Sequence, residues 1–390
     1  MKTKLIYTED FERRFANAAK NGSTVCADIL KAIKTPDNIK DGVKVNYITT
    51  VKVNNGSYDG FTRRSIKVTY CSKDFTNDNN PEKGSPVGMW RRENRAQLDL
   101  VRFVDLFKSL EGIHYSSEDY AYAAEVLSID EPLVCKILSG MRNIEKCYAY
   151  SNYAPIVSSS SNSNTLWSSC MRSEETAAVA GDFYANFCGA KIVGVFGVNT
   201  GAVYGRAILW PEIIVQDEKG AFLDRVYFTH DCIRVMMYEF AKTQGVKFRK
   251  YQNTYDSKVY FVKFSDPTTR IRAGVRIAVP QIKWHKAGSP YTDTFSWVNY
   301  ENEHFYLSNY CTDYSVVATD CTGTTGAKLR DICPVCGMVH SRGTALCRTC
   351  ADKYMKNTIV GPVYTGKVNK KGEPILPKKY VEAEKHIQSL

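Results

Sequence analysis

The run Trp167-Ser168-Ser169-Cys170-Met171-Arg172 is followed by two strand-like runs, Tyr204-Gly205-Arg206-Ala207-Ile208-Leu209-Trp210 and Phe222-Leu223-Asp224-Arg225-Val226-Tyr227-Phe228. Charges sit here inside apolar strands. A charge in a buried strand is costly unless it is paired and hydrogen-bonded, so Arg206, Asp224 and Arg225 need partners or a ligand. Alternate residues of a strand share a face, which groups Arg206 with Tyr204, Ile208 and Trp210, Asp224 with Val226 and Phe228, and Arg225 with Tyr227. Asp224 is the expected structural partner of Arg206. One of the two arginines, Arg206 and Arg225, is then expected to pair structurally and the other to be free for an anionic ligand, in a candidate ligand-binding set of Arg172, Arg206, Asp224, Arg225 and Tyr227. A salt-bridged sheet with no ligand is the competing reading.

Working outward, a helix is expected around Glu174 to Phe187 and a strand from Lys191 to Val198. The turn Asn199-Thr200-Gly201 leads into Ala202 to Trp210, then a strand from Glu212 to Gln216, a turn at 217–220 and a strand from Ala221 to Phe228. After Thr229-His230-Asp231 a helix runs to about Gln244, stopped by Gly245, and a strand begins at Val246. Upstream, residues 9–34 predict two short helices, and 43–53 with 61–70 a hairpin. Apolar spacing from Met89 to Leu110 predicts one long helix, with further helices over 117–127, 130–138 and 142–150. The Ser- and Asn-rich run 151–166 reads as a linker. The expected architecture is α+β: a helix-leaning N-terminal region over 1–150, a central mixed α/β domain over 151–327, and a small C-terminal unit over 328–390.

That last unit carries the most specific motif. Cys333-Pro334-Val335-Cys336 and Cys347-Arg348-Thr349-Cys350 are two CxxC pairs, whose four thiolates suit one tetrahedral zinc ion in a ribbon. Four thiolates leave no open position on the metal, so the expected zinc is structural. The chain carries a net charge of +11, with 12 Lys plus Arg against 5 Asp plus Glu from Lys328 onward. A basic tail beside a ribbon favours nucleic acid, a ribonucleoprotein or another acidic surface as partner, with Lys328, Arg330, Arg342 and Arg348 as the first phosphate contacts, and a solvated, solubilising tail is the plain alternative. The thirteen cysteines are odd in number and follow no export signal, which implies a reducing cytoplasm. No run of about 18 apolar residues is present, so no membrane partner is expected.

Cys170 is the candidate nucleophile. Just ahead of a helix and beside Arg172, its pKa is expected to be lowered, with His230 as general base oriented by Asp231. A buried, inert thiol is the plain alternative.

The combination Ser169-Cys170-Met171-Arg172, Gly205-Arg206-Ala207-Ile208-Leu209-Trp210 and Asp224-Arg225-Val226-Tyr227 resembles a group of largely uncharacterised proteins of tailed bacteriophages. The resemblance implies a phage-encoded accessory or host-takeover protein in the cytoplasm of an infected bacterium, and brings no activity with it. A fainter likeness is to GNAT-type acyltransferases, through the order strands, Thr229-His230-Asp231, helix. It implies a GNAT-like central layer, an anionic substrate and acyl-CoA as cofactor, although the turn lacks the glycine-rich basic sequence that wraps a pyrophosphate. The expectations are therefore a nucleic-acid-binding accessory protein, a transferase in the central cleft, or a cysteine hydrolase using Cys170 and His230.

Overall fold

The computed structural model describes residues 5–35, 37–45, 47–58, 61–71, 95–155 and 165–249, with short stretches at 261–262, 264–265, 270–271, 275–279, 292–295, 297–301, 304–309 and 316–317. It is an α+β structure with two main sheets. The four-cysteine zinc motif and the basic residues Lys328, Arg330, Arg342 and Arg348 lie outside the described residues.

The N-terminal sheet contains β1 (Ile6–Tyr7), β2 (Tyr47–Tyr58), β3 (Phe61–Cys71) and β4 (Arg95–Asp99), in that order. Thr8 caps α1 (Glu9–Lys20) by accepting from the Phe11 amide at 3.2 Å, and Phe11, Phe15 and Ala18 turn inward at helical spacing. Ser23 caps α2 (Thr24–Ile33) in the same way through Cys26. Both helices thus stand where the sequence puts them, and the hairpin forms with its first strand at 47–58 in place of the expected 43–53, pairing through residues expected to be loop. The long helix expected from Met89 does not form. Arg95–Asp99 pairs with β3 as an edge strand, and the Asp99 carboxylate then accepts from the Arg102 amide at 2.8 Å, starting the short α3 (Leu100–Val104). Asp99 is a strong N-cap, and its position splits the apolar run into strand and helix. A capping box at Ser116 and Asp119 opens α4 (Ser117–Leu127).

The helix expected over 130–138 is also replaced by a strand, β5 (Leu133–Leu138). The run Leu-Val-Cys-Lys-Ile-Leu is a half-buried strand composition, and it pairs antiparallel with β6 (Lys191–Gly197). Between them come α5 (Met141–Tyr148) and α6 (Glu174–Gly181), the latter continued by a π-helical segment at Asp182–Phe187. The central strand is β7 (Val203–Val215), which takes up both strands expected over 202–216 and is bulged between Trp210 and Ile213, at Pro211, which has no amide to donate.

Gln216, at φ +56°, turns the chain into β8 (Glu218–Leu223), which starts three residues before the expected Ala221. The chain breaks from the ladder at 224–226 and returns as β9 (Tyr227–Phe228). Then α7 (Asp231–Thr243) crosses to β10 (Lys247–Phe248), parallel to β8. The short pair β11 (Phe261–Val262) and β12 (Arg270–Ile271) stands apart. The C-terminal half of β7 also pairs with β13 (Val275–Val279), which continues the sheet through β15 (His304–Ser308), β14 (Trp297–Glu301) and β16 (Val316–Val317).

The central sheet is buried on both faces. One face packs Ile208, Trp210 and Tyr227 against Tyr148 and Tyr184 from the α5 and α6 side. The other packs Tyr204, Ala207, Leu209 and Phe228 against Ile233 and Met237 of α7, in one cluster with Phe11, Phe15 and Leu127. That cluster runs across the boundary expected at residues 150 and 151, and β5, on the N-terminal side of it, is a strand of the central sheet.

Candidate anion site

Arg206 stands on β7 opposite Gly194 and is 1 % exposed. Its face follows from a bulge. Gly205 pairs with Val195 while Val203 pairs with Phe196, so Tyr204 is an extra residue on one strand. Tyr204 consequently turns to the α7 face, where its hydroxyl donates to Glu131 Oε1 at 2.9 Å, while Arg206 stays with Ile208 and Trp210. The expected grouping of Arg206 with Tyr204 is thus corrected.

The break at 224–226 changes the second expected alternation. Asp224 turns away from Val226 and Phe228 toward Trp210, which donates from Nε1 to Oδ2 at 3.0 Å. The Thr294 hydroxyl and the Arg225 amide donate to Oδ1, and Arg249 Nη1 lies 3.9 Å from it. Asp224 therefore pairs with Arg249, and the expected Arg206–Asp224 pair is not formed. Burial and the neighbouring Asp293 push the Asp224 carboxyl up, against the opposing pull of Arg249, Thr294 and Trp210. Arg225, also buried, meets Asp293 at 2.9 Å, and the Tyr227 hydroxyl donates to that same Oδ1. Burial, then Asp293, hold the Tyr227 hydroxyl well above its ordinary pKa, so it remains a donor.

Arg206 is left with a different environment. Its guanidinium carbon lies 3.5 Å from the Tyr148 ring centroid and 4.6 Å from that of Tyr227. Nη2 donates to Ser169 Oγ at 2.8 Å, and the buried Nε has no hydrogen-bond partner. Among the described residues no carboxylate forms an ion pair with it. Cation–π contact recovers about 2 kcal/mol for a desolvated guanidinium, less than burial of an unpaired charge costs.

Cys170 follows Ser169 and is exposed. Burial of its sulfur and the charge of Asp293 raise its pKa, with Arg206 and Arg225 only partly opposing, so the expected lowering is corrected. His230 lies on the other face of the sheet: its ring is 6.2 Å from that of Tyr204, and Nδ1 shares a 2.8 Å hydrogen bond with Thr229 Oγ1. Asp231 is exposed in the first turn of α7 and lies 4.0 Å from Arg234. The sheet separates Cys170 from His230, and the expected catalytic group is not assembled. Arg172 is exposed and donates to the Trp167 carbonyl, which folds the 167–172 turn.

The structure thus brings together Arg206, Asp224, Arg225 and Tyr227, and adds Tyr148, Ser169, Arg249, Asp293 and Thr294. Ser169 stands within a recognised motif but beside a more conspicuous cysteine. Tyr148, Asp293 and Thr294 come from segments whose sequence carries no signal of the contact. Among the described residues no group of three or more His, Cys, Asp or Glu is placed to hold a metal ion. Set against protein-family models, curated proteins and solved structures, the chain matches none.

Proposed function

We propose that the central domain binds a small anionic ligand at Arg206. The observation that supports this is a buried guanidinium with an unpartnered Nε and no carboxylate partner among the described residues. A permanent structural role calls for a paired charge, whereas a binding site keeps one charge for its ligand. The test is an exchange of buffer anion at constant ionic strength, from a bulky sulfonate to formate, acetate, phosphate or chloride, with the melting temperature followed. A ligand of the folded state at 100 times its Kd adds about 2.7 kcal/mol of stability. A melting temperature indifferent to every anion sinks the reading.

A second activity is proposed for the C-terminal segment, on the two CxxC pairs and the surplus of positive charge. In this reading a structural zinc ion holds a ribbon, and Lys328, Arg330, Arg342 and Arg348 contact the phosphates of nucleic acid or of a host ribonucleoprotein. Together with the bacteriophage-like motifs, this makes the chain an accessory protein acting in the cytoplasm of an infected bacterium. No helix among the described residues is long and apolar enough to cross a membrane.

A GNAT-like reading draws on the succession of β8, β9, α7 and a parallel β10. A transferase reading would place its anionic substrate at Arg206. Acyl-CoA does not fit the start of α7, where the acidic Asp231 occupies the first helical position and the cap is His230.

A further inference from the structure

We infer that the anion held at Arg206 is a carboxylate, gripped by the Nε and Nη2 edge of the guanidinium together with the Ser169 hydroxyl. This deepens the anion reading and rests on it. Guanidinium donors lie in a rigid plane, and a carboxylate matches one edge of it with two parallel hydrogen bonds. Along this edge Nε is buried and unpartnered, and Nη2 is held at 2.8 Å from Ser169 Oγ. That oxygen accepts a second time, from the Met171 amide at 3.3 Å, so both its bonds are acceptances. Among the described residues the Ser169 hydroxyl proton has no acceptor, and the side chain is 3 % exposed. Two buried donors on adjacent groups thus lack acceptors, a costly arrangement that one incoming acceptor relieves.

Charge selects the class of that acceptor. Among the described residues Arg206 meets no carboxylate, so the charge to be answered at this edge is the single one of its own guanidinium. A carboxylate brings one negative charge and two oxygens. A phosphate monoester brings about −1.5 to −2 and three acceptor oxygens, more than this edge can satisfy or neutralise. The Tyr148 and Tyr227 rings flank the guanidinium.

The experiment uses the full chain with 15N-labelled arginine, titrated at constant ionic strength with sodium butyrate, inorganic phosphate or sodium chloride. The expected result is that one arginine Nε–H resonance moves downfield and saturates with butyrate but not with phosphate or chloride. Ser169→Ala is expected to weaken butyrate about tenfold, the loss of one hydrogen bond to a charged group. Arg206→Lys keeps the charge but not the fork, and is expected to abolish the response. Saturation by phosphate in preference to butyrate overturns the carboxylate class and leaves the anion reading standing. A wild-type chain in which no resonance responds to any of the three overturns both. Unchanged butyrate affinity in a folded Ser169→Ala chain overturns the role of the hydroxyl and with it the proposed grip.

Discussion

A buried ion pair and a buried lone charge respond oppositely to deletion, which makes Arg206 an informative residue. Removing one member of a buried pair strands the other and costs about 3–5 kcal/mol. Arg206→Met strands no carboxylate and relieves an uncompensated charge, giving up ring contacts and the Ser169 bond in exchange. We expect it to cost less than about 1 kcal/mol in urea unfolding without added anion, and a loss of the size seen for broken pairs would show Arg206 to be structural. Glu131 is the contrasting case. This buried carboxylate accepts from the Asn199 and Thr200 amides at 3.0 and 3.1 Å, from Thr200 Oγ1 at 2.7 Å and from Tyr204. Burial alone would raise its pKa, but the hydrogen bonds from Thr200, Tyr204 and Asn199 outweigh it and hold the carboxyl below its ordinary value. A carboxyl with a lowered folded pKa adds stability above its unfolded pKa and loses it as the pH falls through the folded one. Glu131→Gln should therefore cost about 1.5–3 kcal/mol at neutral pH, and the gap to wild type should narrow as the pH drops below 4.5, the ordinary value. A gap independent of pH would mean that the carboxylate is not what holds the turn. The sequence displays the turn Asn199-Thr200-Gly201, yet nothing near it announces a carboxylate about 70 positions away, because the latch is made by backbone amides.

Elements show where the sequence is legible and where local pattern falls short. The succession from α6 to β10, a helix, four strands, a helix and a strand, follows the predicted order, since caps, turn residues and apolar periodicity are local properties. Two structural events defeat the face assignments: the extra residue at Tyr204 and the break at 224–226. Each shifts the alternation, so an Arg206–Asp224 pair drawn from strict alternation dissolves into Arg206–Ser169 and Asp224–Arg249. The strand at 133–138 reads as a helix because Asp130 and Pro132 look like a helix start, whereas pairing with β6 decides its state. The packing of α5 on α6 gives a test of sign. A Cβ at Gly181 would lie 2.8 Å from the Met141 carbonyl oxygen, a backbone atom that cannot swing away. Helix propensity alone makes Gly181→Ala stabilising by about 1 kcal/mol, while overpacking costs about 1–3 kcal/mol. We expect net destabilisation, together with weaker anion binding, because Tyr148 rides on α5 over Arg206. A more stable variant with unaltered binding would show that the two helices do not meet at this glycine.

At the scale of the molecule, the two proposed activities occupy different regions and differ in physical character. The central domain is layered around one sheet buried on both faces, and its anion site is enclosed, so ligand affinity there depends on hydrogen-bond geometry and only weakly on ionic strength. The proposed contacts of the C-terminal segment are with phosphates, and such contacts release counterions. Each phosphate neutralised contributes about −0.9 to the slope of log K against log salt on duplex DNA, so four contacts through Lys328, Arg330, Arg342 and Arg348 predict a slope of about −3.6. Replacing any one of the four by alanine should lower the magnitude of that slope by about 1 and weaken binding to all sequences alike. Removing zinc with a chelator should abolish the binding, since a ribbon of this kind is held together by its metal, while the butyrate response at Arg206 persists. Fluorescence anisotropy of a labelled duplex in increasing salt measures the first effect, and the same titration after chelation measures the last. Binding to nucleic acid that ignores salt, or that survives loss of the metal with its slope intact, would remove the ribbon and its four basic residues from the interaction.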